Sequence, residues 1–179
     1  LVPSIANEFG LRVTAGAWLG PDQKRNQRKV RGVIEQARRN SNIDSIVVGN
    51  ETVYRGETIL LGDEKLELTP DELGRLRGAE ARGDTKEVER IRESINVARL
   101  IKVIQRVKRD TQVPVTTGEI WSVWRDHPEL VSAVDYIAVH ILPYWEGVPG
   151  SAAVDEAIGG YNRLRQMYPG KRVVIAEFG

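Results

Sequence analysis

The chain has 179 residues, is 41% hydrophobic and contains no cysteine, so it can bury a sizeable core in one domain but has no disulfide, thiolate metal site or cysteine nucleophile. Its 26 Lys and Arg balance 25 Asp and Glu at a net charge of +1, which leaves no electrostatic footprint for nucleic acid or an anionic membrane. No apolar run approaches the roughly 20 residues that span a bilayer, and no signal-peptide pattern opens the chain, so any targeting segment is expected outside this stretch.

In chain order, LRVTAGA at 11–17 is the first expected strand. The basic stretch at 24–39 interleaves with Val30, Val33, Ile34 and Ala37 at helical spacing, and reads as the solvated face of a helix over 23–40. A second strand, 45–49, ends just before Asn50 and Glu51. Residues 61–92 carry four glycines among many charges and are expected as a helical excursion that lengthens one loop without forming a separate domain. Thr69 with Glu72 and Asp84 with Glu87 have capping-box spacing, Pro70 suits a first helical turn, and a long helix follows over 85–109. After a strand at 113–118, Asp126 with Glu129 and Pro128 mark the start of a helix over 128–134. Strands at 136–141 and 173–176 then flank a helix over 154–168.

Short Val/Ile-rich strands alternating with amphipathic helices are the signature of βα units and a parallel sheet covered on both faces. Five units are visible, whereas a closed (β/α)8 TIM barrel takes eight and typically about 250 residues. The expected fold is therefore an incomplete stretch of such a barrel, residues 1–179 forming one catalytic domain with the excursion at about 61–92. The alternative, a self-sufficient open sheet, would leave two apolar edges unpaired.

In α/β barrels, chemistry is done at the C-terminal ends of the strands. Glu51 and Glu177 each close an apolar strand, and a carboxylate directly after such a run is costly to bury without partners or a task. Two of them suit acid/base work on a sugar, with the Asn50 amide donating to a hydroxyl beside the reacting carbon. Taken singly, Glu51 could equally cap its loop or pair with Arg55. Further strand-end groups are Glu119 and Trp121 after the third strand, and His140, Tyr144 and Trp145 after the fourth. All four tryptophans, Trp18, Trp121, Trp124 and Trp145, follow strands, which favours a carbohydrate cleft over core packing, although each alone would read as a packing residue. His140 by itself would be a hydrogen-bonded core histidine.

The runs VVGNE, HILPYWEG and VVIAEFG, in this order and spacing, resemble glycoside hydrolase family 17, the β-1,3-glucanase family of clan A, in its bacterial branch. LRVTAGAWLG and VPVTTGEIWSVW also fit the bacterial pattern, and the resemblance runs through nearly the whole chain, as barrel strands three to seven. It implies a (β/α)8 barrel and a retaining mechanism on β-1,3-linked glucan, with Glu51 as acid/base, Glu177 as nucleophile, Asn50 contacting the sugar and Tyr144 lining the cleft. It also implies a monomeric, extracytoplasmic catalytic domain whose partner is a glucan, with no metal and no cofactor. The chain departs from plant members in His140 and Leu142, where they carry asparagine and tyrosine, and in the long excursion.

Hydrolysis and glucanosyl transfer would use the same residues and differ only in the acceptor. One rival is a metal-dependent sugar isomerase in which Glu51, Glu119, His140 and Glu177 bind Mg²⁺ or Mn²⁺. Another is a barrel that binds glucan through its tryptophans without cleaving it.

Overall fold

The computed structural model describes residues 2–179. The elements are α1 (Val2–Glu8), β1 (Val13–Ala17), α2 (Gln23–Arg39), β2 (Ile43–Asn50), α3 (Pro70–Ala81), α4 (Thr85–Asp110), β3 (Val115–Ile120), α5 (Trp121–Asp126), α6 (Pro128–Ala133), β4 (Ile137–Ile141), α7 (Ala153–Met167) and β5 (Val173–Phe178). A short 3-10 turn, Gly150–Ala152, leads into α7. The strands stand side by side in sequence order and are parallel throughout. With helices interleaved between them they form a half-barrel, five of the eight βα units that a closed barrel takes. Among the described residues no helix is long and apolar enough to cross a membrane.

The two faces of the sheet differ in residue size. Outward, Ile46 and Val48 of β2 and Ile137 and Val139 of β4 join Val30, Leu100, Ile104, Leu130 and Leu164 of the helices in one continuous core. Inward, Gly16, Gly49, Gly118, Ala138 and Ala176 line the concave side beside Val47, Tyr136 and Val174, and the small residues among them leave room in the lumen. The central strands β3 and β4 are almost wholly buried, while β1 and β5 have one neighbouring strand each. Exposed apolar groups flank both edges, Ile5 of α1 and Phe9 in the turn that leads to β1, and Ile175 and Phe178 of β5. This is the open-edge cost anticipated for a five-stranded sheet.

The excursion after β2 folds as a helical hairpin of α3 and the first turns of α4, around a small core of Ala79, Ile91 and Ile95. Thr69 and Glu72 complete a capping box, and Asp84 accepts from the Glu87 N–H, as expected from their spacing. Before α3, the segment Ile59–Leu61 is buried and tied to α2, whose Asn26 Nδ2 donates to the Leu60 carbonyl at 3.1 Å.

The capping role expected of Asp126 is not seen. WSVWRD forms a helix of its own, α5, so Asp126 is its last residue and its carboxylate pairs with Arg125 at 2.6 Å. His127 occupies the cap of α6 instead, and its ring bonds to Glu129 at 2.9 Å and Glu93 at 3.2 Å.

Candidate active site

The approach to Glu51 is set by a local irregularity. Pairing of β2 with β3 slips between Val47 and Asn50, where Gly49 turns at φ 80°. A Cβ at Gly49 would lie 3.1 Å from Thr52 Cγ2, so both the dihedral and the space require glycine. The Glu51 N–H still reaches the Gly118 carbonyl at 2.7 Å, and its φ is 54°. Among the described residues, Glu51 alone adopts this left-handed conformation without being glycine. Such a conformation costs about 1–2 kcal/mol, and strain of this kind persists where surrounding contacts over-determine it.

Those contacts come from Glu119. Gly118 lines the lumen, so by strand alternation Glu119 projects to the opposite face, where it is fully buried. Its carboxylate accepts from Thr52 Oγ1 at 3.2 Å, the Val53 N–H at 2.9 Å and the Tyr54 N–H at 3.3 Å. The expectation that Glu119 contacts substrate at the barrel mouth is therefore not met, because every acceptor position it offers faces the turn behind the site.

Burial drives the Glu119 pKa up to about 7, against the pull of its three hydrogen bonds and with a further push from the Glu51 charge. The folded protein thus holds a proton that the unfolded chain, at about 4.5, releases, so stability present at acid pH is lost as pH rises through about 7. At 1.36 kcal/mol per unit the loss is about 3 kcal/mol. Urea denaturation at pH 5 and pH 8 should show the wild type falling between the two by about that amount more than Glu119→Gln; equal slopes for the two proteins would contradict this.

Within the lumen, β4 supplies His140, whose pairing partner on β5 is Glu177. The imidazole is buried, with Nδ1 2.9 Å from Glu51 Oε1 and 3.5 Å from Glu177 Oε2. Both facing groups are carboxylates, hence acceptors, which assigns the hydrogen to Nδ1. The ring fits because residue 118 is glycine: a Cβ there would stand 2.7 Å from His140 Nε2. Glu51, His140 and Glu177 each present one ligating atom within 4.8 Å of the others, a set that could also hold a metal ion. Glu119, on the far side of β3, is outside that set.

His140 and Glu177 line a cleft of about 460 Å³ together with Asn50, Trp18 and Tyr136, and Glu51 adjoins it through its bond to His140. Trp18 is largely exposed and carries the Arg55 guanidinium 5.2 Å from its ring centroid. A larger hollow of about 780 Å³, beside Arg99, Lys102 and Arg106 of α4, contains none of the strand-end groups.

The tryptophans do not act as a set. Trp124 lies inside α5 and is fully buried, its Nε1 donating to the Glu119 and Ala138 carbonyls at 3.1 and 3.2 Å. Trp121 opens α5 and is flanked by Arg125 and Arg163, with the guanidinium carbons 4.8 and 5.3 Å from its ring centroid, away from the cleft. The i, i+3 spacing in WSVWRD was the available signal for this helix. Tyr144 and Trp145 meet edge to face at 5.2 Å on the exposed loop after β4, which the Tyr144 N–H ties to the Gly179 carbonyl. Neither lines the cleft. Of the residues expected at the site, Glu51, Glu177, Asn50 and His140 converge, whereas Glu119, Trp121, Tyr144 and Trp145 stand apart from the lumen. Trp18 is the one tryptophan of the four that lines the cleft, as expected of it, while Gly118 and Tyr136 are among the lining residues not anticipated. Gly118, a glycine inside a strand, was legible as a point of close approach.

Two solved structures share the architecture. The glycoside hydrolase family 17 β-1,3-glucanosyltransferase from Rhizomucor miehei is 20% identical, with a TM-score of 0.63 over 96% of this chain and 52% of that one. An active-site mutant of the Rhizomucor miehei β-1,3-glucanosyltransferase in complex with laminaritriose matches over the same shares at 20% identity and a TM-score of 0.61. This chain thus spans about half the length of those proteins, and at that identity the likeness is one of fold. No curated protein matches the chain. The sequence profile of the BtgE/BtgC glycoside hydrolase domain matches residues 81–179, a stretch that includes β3, β4 and β5 with His140 and Glu177. Because that match takes in more than half of the 179 residues, the chain belongs to the BtgE/BtgC glycoside hydrolase domain family.

Proposed function

We propose that this chain carries the catalytic pair of a retaining enzyme of β-1,3-glucan, akin to the bacterial branch of glycoside hydrolase family 17. The observation that carries the reading is the convergence of Glu51 and Glu177 on one imidazole, with a carboxylate oxygen of each within 4.8 Å of the other. Carboxyl groups about 5–5.5 Å apart suit double displacement, while an inverting water needs roughly 6.5–9.5 Å. The glucanosyltransferase activity and the laminaritriose ligand of the two structural neighbours support the choice of substrate.

Glu177, on β5 and half exposed, attacks the anomeric carbon as Glu51 protonates the departing glycosidic oxygen. The bond from carbon to leaving oxygen breaks and an ester to Glu177 forms. Glu51, now a carboxylate, takes the proton of the incoming hydroxyl, which attacks the ester carbon and frees Glu177. Water as acceptor gives hydrolysis and a glucan hydroxyl gives transfer. The His140 Nδ1–H holds Glu51 Oε1, which leaves Oε2 to carry the proton. Asn50 lies beside the pair to meet a sugar hydroxyl, and the Trp18 face offers a stacking surface. Residues 1–179 form part of one catalytic barrel domain, monomeric and extracytoplasmic, with no cofactor.

A laminari-oligosaccharide of defined length tests this in the full chain. Shorter products with new reducing ends, or longer products from transfer, are expected, and EDTA should leave the rate unchanged. Unaltered oligosaccharide would favour a non-catalytic glucan binder. Loss of turnover on chelation would favour the metal-dependent rival, which is disfavoured by Glu119 facing away from the other three groups.

A further inference from the structure

We infer that Glu119 is a positioning residue for the acid/base step: from behind the sheet it clamps the turn that holds Glu51 in its left-handed conformation and so keeps the Glu51 carboxyl on His140. This rests on the reading of Glu51 as acid/base. Three observations meet in it. Glu119 is fully buried and gives its oxygens to donors from one turn, Thr52 Oγ1, Val53 N–H and Tyr54 N–H, which are the three residues after Glu51. The same turn closes on itself through the Arg55 N–H, which donates to the Glu51 carbonyl at 2.9 Å, and the Glu57 N–H, which donates to the Thr52 carbonyl at 2.9 Å. At its head stands Glu51 at φ 54°, with its carboxyl 2.9 Å from His140 Nδ1.

A carboxylate suits the donors, completely so in its ionised form above its pKa of about 7. Two adjacent backbone N–H groups point at two different oxygens, Val53 at Oε1 and Tyr54 at Oε2, and the Thr52 hydroxyl adds to Oε1. An amide would offer one acceptor and set its NH₂ against an N–H; an apolar side chain would leave the Thr52 hydroxyl and the Val53 N–H buried without partners and the Tyr54 N–H unpaired. Freed from the clamp, residue 51 keeps its N–H on the Gly118 carbonyl and its carbonyl on the Arg55 N–H but loses the anchor of the three residues after it, so its backbone relaxes toward ordinary angles and its carboxyl swings off the imidazole. Glu177 is placed independently by the pairing of β5 with β4. Removing Glu119 therefore weakens proton delivery and leaves the nucleophile in place, a selectivity that loss of packing alone does not produce.

That selectivity is read from the leaving group. In the full chain, kcat and KM are compared on a laminari-oligosaccharide, whose leaving sugar needs an acid, and on a dinitrophenyl laminaribioside with azide, which needs neither acid nor base. Glu119→Ala should lower kcat on the oligosaccharide about 100-fold, as for a misplaced catalytic group, with KM little changed and the activated substrate turned over as by wild type. Glu119→Gln, which keeps one acceptor, should lose about 10-fold; if the alanine variant fails to fold, the glutamine variant, checked by circular dichroism, carries the test alone. Glu51→Ala is the reference and should show the same selectivity more strongly. If Glu119 variants slow both substrates equally, or neither, while Glu51→Ala is selective, the positioning role is overturned and the reading of Glu51 stands. A Glu51→Ala enzyme without that selectivity overturns both.

Discussion

Glu177→Gln is expected to lower turnover of a β-1,3-glucan by roughly 10⁴- to 10⁶-fold, the scale on which removing a covalent nucleophile acts. The amide has nearly the shape of the carboxyl but cannot form the glycosyl ester. The carboxyl is 54% exposed on an edge strand, and its contact with His140 is long at 3.5 Å. Thermal denaturation should therefore move little, within the ±0.5 kcal/mol usual for surface changes. Activity must fall without loss of fold; a variant that kept the wild-type rate would remove Glu177 from the mechanism.

Glu51→Gly should separate function from stability in the other direction. Loss of a general acid lowers kcat by about 10²- to 10⁴-fold. Yet residue 51 sits at φ 54°, where glycine is at ease and glutamate is strained. Relief of that strain should raise stability by about 1 kcal/mol, helped by removing one of two carboxylates that face each other across His140. Calorimetry on the two proteins at one pH tests the gain, and turnover on a laminari-oligosaccharide tests the loss. A variant both less stable and fully active would show that position 51 is a packing site, its backbone angle unrelated to chemistry.

The readable parts of this molecule were those governed by local, repeating rules. Period and β-branching marked all five strands, Thr69 with Glu72 marked a true capping box, and a carboxylate closing an apolar run marked Glu51 and Glu177. What escaped depended on which face of a strand or helix a side chain takes. Glu119 follows a strand run just as Glu177 does, but one residue of register sends it behind the sheet while its neighbour Gly118 faces the lumen. Trp124 follows a strand as a cleft aromatic would, but WSVWRD turns at once into a helix that buries it. His140 by itself read as a hydrogen-bonded core histidine, and it is buried with its ring bonded to Glu51. Asp126 had the spacing of a cap but ended the preceding helix, where Arg125 claims its carboxylate.

In the proposed mechanism Glu51 and Glu177 act on one anomeric carbon, with Glu177 forming the bond. A 2-deoxy-2-fluoro laminaribioside with a good leaving group tests it directly, because the fluorine slows breakdown of the ester enough for peptide mass spectrometry to find it. A single adduct on the peptide carrying Glu177, absent from Glu177→Gln and still formed by Glu51→Ala, is the expected result. An adduct on Glu51 or on any other residue, or none in a protein that degrades glucan, would contradict it.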